Sequence, residues 1–190
     1  MIWHEFINIG LITYGERMKL LILLSPKDFK DESMDTIKLF LDKWQVRYDI
    51  ASYSTKDCVG YHGAVYKPSV NADSVSVSDY DGLMLIDGNG VELYKFYDYR
   101  PLLDLVMKFN NANKTIGAIG NAQKIIARAN VIKDKRIATS PDEETKRLVI
   151  LFHGVPSEND FEMSGNIFTV KKSANLQQAM QVVLSHFGVF

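Results

Sequence analysis

The chain has 190 residues, 46% hydrophobic and 24% charged, with 22 Lys plus Arg against 23 Asp plus Glu and a formal net charge of −1. That mix excludes a disordered chain, a collagen-like repeat and a disulfide scaffold. The absence of a Lys/Arg cluster argues against nucleic-acid binding, which needs several phosphate contacts. Cys58 is the one cysteine, so no internal disulfide and no paired-cysteine zinc site can form; no metal or cofactor is expected, and a reducing cytoplasm is the expected compartment.

Residues 1–17 are apolar and aromatic, without the basic start, unbroken apolar core and cleavage site of a secretory signal. They are read as an extension upstream of Met18, where a more typical start begins; the alternative is a segment that packs on a neighbour. Residues 18–190 are read as one domain. No apolar run is long enough to span a membrane. Leu20 to Leu24 is a short buried strand bounded by Ser25-Pro26. Asp31 to Trp44 carries Met34, Ile37, Leu41 and Trp44 at helical spacing, and Val46 to Ala51 alternates as a second strand, which completes a parallel βαβ unit. Residues 52–80 are polar, with short alternating stretches at Gly63–Tyr66 and Val75–Val77, and read as a hairpin excursion.

Gly82 to Ile86 is the next buried strand and ends in the turn cluster Asp87-Gly88-Asn89-Gly90. Pro101 to Phe109 is helical, Lys114 to Ile119 is a strand, Ala122 to Ala129 a helix and Arg136 to Thr139 a short strand. Ser140 is the expected N-cap of the next helix, with Pro141 in its first position. Asp160–Met163 and Asn166–Val170 form a strand pair around Ser164-Gly165, and Ala174 to Phe187 closes the chain as an amphipathic helix. Alternating strands and helices predict a doubly wound α/β sandwich with a mostly parallel sheet. Ligands in such sheets sit beyond the carboxyl ends of the strands, so the loops after Ser25, Ile86 and Ile119 matter most.

Those loops carry a resemblance. Gly117–Thr139 (GAIGNAQKIIARANVIKDKRIAT), Tyr80–Gly88, Gly60-Tyr61-His62-Gly63 and Ser164–Thr169, in that setting, resemble the ThiJ/PfpI family, the superfamily of Parkinson disease protein 7 and of PfpI-type intracellular proteases. The resemblance runs from about Met18 to Phe187. It implies a flavodoxin-like sandwich of the class I glutamine amidotransferase type, assembled as a dimer or hexamer. It also implies a site built from an elbow cysteine, a following histidine, a glutamate from the loop after the first strand and an oxyanion-type glycine. Family activities include peptidase, deglycase, glyoxalase and chaperone roles.

This sequence departs from that pattern. The elbow position is Gly120, the next is Asn121, and the glutamate position aligns with Lys30; the oxyanion-type glycine remains as Gly88 beside Asp87. Glycine keeps a strained turn while deleting the thiol, and covalent acyl transfer needs a nucleophile. Asn121 forms hydrogen bonds but is no general base. Gly88, Gly120, Asn121 and Lys30 are therefore candidates for holding a small anionic ligand, against the alternative of a pocket filled by solvent.

Cys58 lies off the elbow and reads as a packing residue. His4, His62, His153 and His186 lack metal-ligand spacing. Glu143-Glu144 suits a helix's first turn, and Tyr94, Phe96, Tyr97 and Tyr99 serve either the core or an exposed patch. The expected function is a binding or assembly module without cysteine chemistry. The alternatives are a peptidase, a deglycase or another enzyme reusing the pocket through Lys30 and Asp87, and a chaperone-like stress protein.

Overall fold

The computed structural model describes residues 18–189; the segment 1–17 read as an extension lies outside them. The backbone begins with β1 (Lys19–Leu23), β2 (Lys27–Phe29), α1 (Asp31–Lys43) and β3 (Arg47–Ser52). Then follow β4 (Cys58–Gly60), β5 (Val65–Tyr66), β6 (Val70–Asn71), β7 (Gly82–Leu85), α2 (Asn89–Leu93), α3 (Arg100–Asn111) and β8 (Thr115–Ile119). The remainder is α4 (Gln123–Arg128), β9 (Arg136–Ala138), α5 (Glu143–Leu151), β10 (Val155–Ser157), β11 (Phe161–Ser164), β12 (Ile167–Val170) and α6 (Leu176–His186).

The main sheet has the order β11-β12-β8-β7-β1-β3-β6, and only β11 runs antiparallel to its neighbour. The order β3-β1-β7-β8-β12 is the 2-1-3-4-5 winding of flavodoxin-like sandwiches. The strand side chains show why the sheet is covered twice. Leu21, Leu23, Leu83, Leu85, Ile116 and Ala118 point to one core layer under α3, α4 and α5. Leu20, Ile22, Leu24, Met84, Ile86 and Phe168 point to the other, under α1 and α6. Successive residues of a strand face opposite ways, so a strand that is apolar throughout needs helices on both sides.

Two sequence expectations change. The helix after Ser140 is capped by Asp142, whose carboxylate accepts from the N–H groups of Glu144 (3.1 Å) and Thr145 (3.2 Å). Ser140 lies two residues before that cap, and its own N–H donates to the Gln123 side-chain oxygen at 2.9 Å. Val75–Val77 forms no strand. Two 3-10 turns at Ala72–Ser74 and Val77–Asp79 occupy this stretch, the first capped by Asn71, which accepts from the Asp73 N–H. Asn and Ser side chains compete with ladder bonds in this way.

The excursion 52–80 does supply an antiparallel pair, β4 with β5, and β2 joins them to make a small three-stranded sheet. Among the aromatic residues 94–99, Phe96 is buried and Tyr94 and Tyr97 pack half-buried against the same core. Tyr99 sets its ring 4.8 Å from that of Tyr53. No helix of the described residues is long and apolar enough to cross a membrane.

Candidate functional site

The loops that follow β1, β7 and β8 meet at the carboxyl ends of the strands, beside the point between β1 and β7 where the winding reverses. They line a cavity of about 910 Å³, a size typical of small-molecule sites. Lys30, Gly88, Gly120 and Asn121 all line it. The structure thus brings the four sequence-level candidates together, but their roles differ from one another.

Gly120 sits where β8 turns sharply into a 3-10 turn and then α4, with φ +49°. A side chain here would be strained, and its first carbon would lie 2.8 Å from the Asp87 Oδ2 atom. The group beside position 120 is therefore the carboxyl of Asp87. Lys30 lines the same cavity from the loop before α1. Its backbone N–H donates to the Asp87 carbonyl at 2.8 Å, and its ammonium makes no ion pair with a described residue.

Asp87 is 5% exposed. Its Oδ1 accepts a hydrogen bond of 2.6 Å from the Ser33 hydroxyl, on the fully buried face of α1. Burial pushes the Asp87 carboxyl above the usual carboxylate range, and the Ser33 hydroxyl and the Lys30 charge only partly oppose this. Ser33 escapes sequence reading. The only signal is a polar residue on the same stripe as Ile37 and Leu41, a pattern shared with many harmless helix serines.

Asn121 turns its amide onto Gly88. Its Oδ1 accepts from the Gly88 N–H at 3.1 Å, and its Nδ2 donates to the Gly88 carbonyl at 3.0 Å and to Glu92 at 3.3 Å. The Gly88 N–H is thus engaged within the protein. Gly88 itself has φ +135°, and a Cβ there would come within 2.4 Å of the Asp28 carbonyl; the close approach of these two loops requires glycine. Glu92 continues the chain of contacts to Lys124, which is 2% exposed and pairs with Glu92 at 2.8 Å and Glu144 at 2.6 Å. Glu144 thus has a partner in addition to its place in the first turn of α5.

The opposite wall is made by the loop after β12. Lys171 pairs with Glu158 at 3.2 Å, while Lys172 is exposed and makes no ion pair with a described residue. Gln123, fully buried, holds this wall at a fixed distance from the loop after β9. Its Nε2 donates to the carbonyls of Ala138 (2.8 Å) and Val170 (3.0 Å), while its Oε1 receives the Ser140 N–H.

On the third side, Asp31 is wrapped by the loop 60–64. Its carboxylate accepts from the N–H groups of His62 (2.9 Å) and Ala64 (2.8 Å). Burial works against the charge, but these two N–H groups outweigh it and hold the Asp31 carboxyl below its ordinary range. A Cβ at Gly60 would stand 2.4 Å from that carboxylate. His62 lines the cavity, whereas His153 and His186 do not; His4 lies outside the described residues. No group of three His, Cys, Asp or Glu among the described residues is placed to hold a metal. Cys58 is fully buried in the core layer under α1, away from the cavity, and burial pushes its thiol up.

A flavodoxin-like sandwich with a glycine elbow over a small-molecule cavity is thus the class that the fold and the site define. The model of the DJ-1/PfpI family matches residues 18–185, and the chain belongs to that family. An uncharacterized protein of Methanocaldococcus jannaschii is 26% identical over 153 residues, covering 80% of this chain and 74% of that protein. Among solved structures, the ThiJ/PfpI domain protein from Brachyspira murdochii superposes with a TM-score of 0.83 at 17% identity, covering 90% of this chain and 97% of that one. Drosophila melanogaster DJ-1beta gives 0.78 at 15% identity, with 91% of each chain covered.

Proposed function

We propose that the protein is a small-ligand-binding member of its family in which cysteine-dependent chemistry has been lost. One observation carries this reading. The elbow residue is Gly120, and the Asp87 Oδ2 atom lies 2.8 Å from where its side chain would begin. Acyl transfer or thiohemiacetal formation requires a nucleophile at the elbow. Cys58, the one thiol, is buried elsewhere with its acidity lowered, the reverse of a reactive cysteine. The cavity itself is retained, and Lys30 and Lys172 line it without an ion pair to any described residue, which supports a ligand with an anionic group.

Turnover of methylglyoxal and of a fluorogenic peptide by the wild type and by Cys58→Ala tests the loss. No turnover above buffer is expected in either protein, and turnover abolished by Cys58→Ala would overturn it. Cytoplasmic location and homo-oligomeric assembly belong to the same proposal. The reduced single cysteine supports the first. The exposed Ile150, Leu151 and Val155 around the end of α5 support the second, which light scattering checks.

A second reading rests on Asp87. A buried carboxyl with a raised pKa, facing a cavity, is a candidate acid or base. On this reading the protein is an enzyme of another kind, and a turnover that survives Cys58→Ala but is lost in Asp87→Asn would establish it.

A further inference from the structure

The cavity has two poles of unlike chemistry. At the floor, Asp87 is 5% exposed and faces Gly120 with Oδ2. Ser33 occupies only Oδ1, and no hydrogen bond from another described residue reaches Oδ2. Asp87 lines the cavity, so a donor placed there, and best a cation, can reach this oxygen. Lys30 influences Asp87 through space but forms no ion pair with it. At the wall and rim, Lys30 and Lys172 line the same cavity, beside Asp28 and Glu32, and neither lysine forms an ion pair with a described residue. An anionic ligand would meet lysines that no described carboxylate has paired.

We infer that the cavity binds a small amino-carboxylate, with its amine on the Asp87 carboxyl and its carboxylate toward Lys30 and Lys172. This rests on the small-ligand reading above and names the ligand class. A plain carboxylate would satisfy the lysines and bring no donor to the Asp87 Oδ2 atom. A plain amine would do the reverse. A molecule carrying both groups satisfies each pole, and charge-assisted hydrogen bonds at both ends are the stronger kind. The open side over Gly120, where a side chain would otherwise stand, gives the amine access to Oδ2.

The test uses calorimetric titration of the full chain with matched pairs, L-glutamate against glutarate and L-alanine against propionate. The amino member of each pair is expected to bind about tenfold more tightly, the worth of one charge-assisted hydrogen bond. In Asp87→Asn the two members should bind within about twofold of each other, while Ser33→Ala, which leaves the carboxyl in place, should keep the preference. Equal binding of both members by the wild type overturns the amino-carboxylate inference and leaves the small-ligand reading standing. No binding of any of the four compounds overturns both. A preference that survives Asp87→Asn overturns the assignment of the amine to Asp87.

Discussion

Asp31 and Asp87 line one cavity, and each has little solvent exposure, at 6% and 5%. They titrate in opposite directions. Asp31 stands inside the loop 60–64 and receives two backbone N–H groups, so its charge is held. Asp87 lies deeper and receives one hydroxyl from another residue, Ser33, beside its own backbone N–H, so burial prevails and its proton is retained to higher pH. Low solvent exposure alone therefore says little about a carboxyl group; its depth among protein atoms and the donors aimed at it decide together. Asp31 is built as a structural anchor for a loop. Asp87 is left with acceptor capacity directed at the cavity.

Removing the anchor should have the largest effect. Asp31→Ala leaves the His62 and Ala64 N–H groups without their acceptor, and a loss of about 3 kcal/mol is expected in urea unfolding at neutral pH. Because the folded pKa of Asp31 is lowered, its contribution is present above the unfolded value of 3.8 and is lost as pH falls through the folded one. The gap between wild type and variant should accordingly narrow in acid. A gap that stays constant down to pH 2 would mean that the carboxylate charge is not what holds the loop.

Gly120→Ala comes next, at about 2 kcal/mol, combining left-handed backbone strain with displacement of the Asp87 carboxyl. In the double variant with Asp87→Ala the steric part disappears, so the combined loss should be smaller than the sum of the two single losses. Strict additivity would separate the elbow from Asp87. The smallest effect has the opposite sign. Asp87→Asn keeps an acceptor for Ser33 and removes a charge that burial disfavours, so it should stabilise the protein by on the order of 1 kcal/mol at neutral pH. For a carboxyl whose folded pKa is raised, stability is lost as pH rises from the unfolded value of 3.8 through the folded one. The gain should therefore be complete above that window and absent below about pH 4. Lys30 and Glu32 also act on Asp87 through space, in opposing directions. A destabilised Asp87→Asn at neutral pH would place Asp87 in the same class as Asp31.

Much of the fold was legible because its signals are local. Apolar runs such as Leu20–Leu24 and Gly82–Ile86, short and bounded by turn residues, read as strands covered on both sides, and the helix periodicity of 31–44 is plain. The short elements β2 and α2 were not legible, since each depends on the other's loop: Gly88 bridges Phe29, and Gly90 lies against Ser25 and the Lys27 carbonyl. The loops of the site could be read from the alternation of strands and helices, and the strained turn at Gly120 through the family resemblance. The pairing inside the site could not. Which carboxyl lies beside Gly120 depends on how two loops 33 residues apart settle against each other, and the sequence places Lys30 as near to hand as Asp87. Asn121 likewise reads as a group for a ligand until its amide is found closed on both polar atoms of Gly88.

The buried carboxamide of Gln123 bonds three backbone groups from two separate loop regions and touches nothing in the cavity. The two sides of the opening are thereby tied together by a residue outside the cavity lining, while Lys30 and Lys172 at its edge form no ion pair with a described residue. Size and chemistry of the site are thus under separate control. Rim residues are free to diverge, in nature or by design, so that one frame accommodates many binding preferences without being rebuilt.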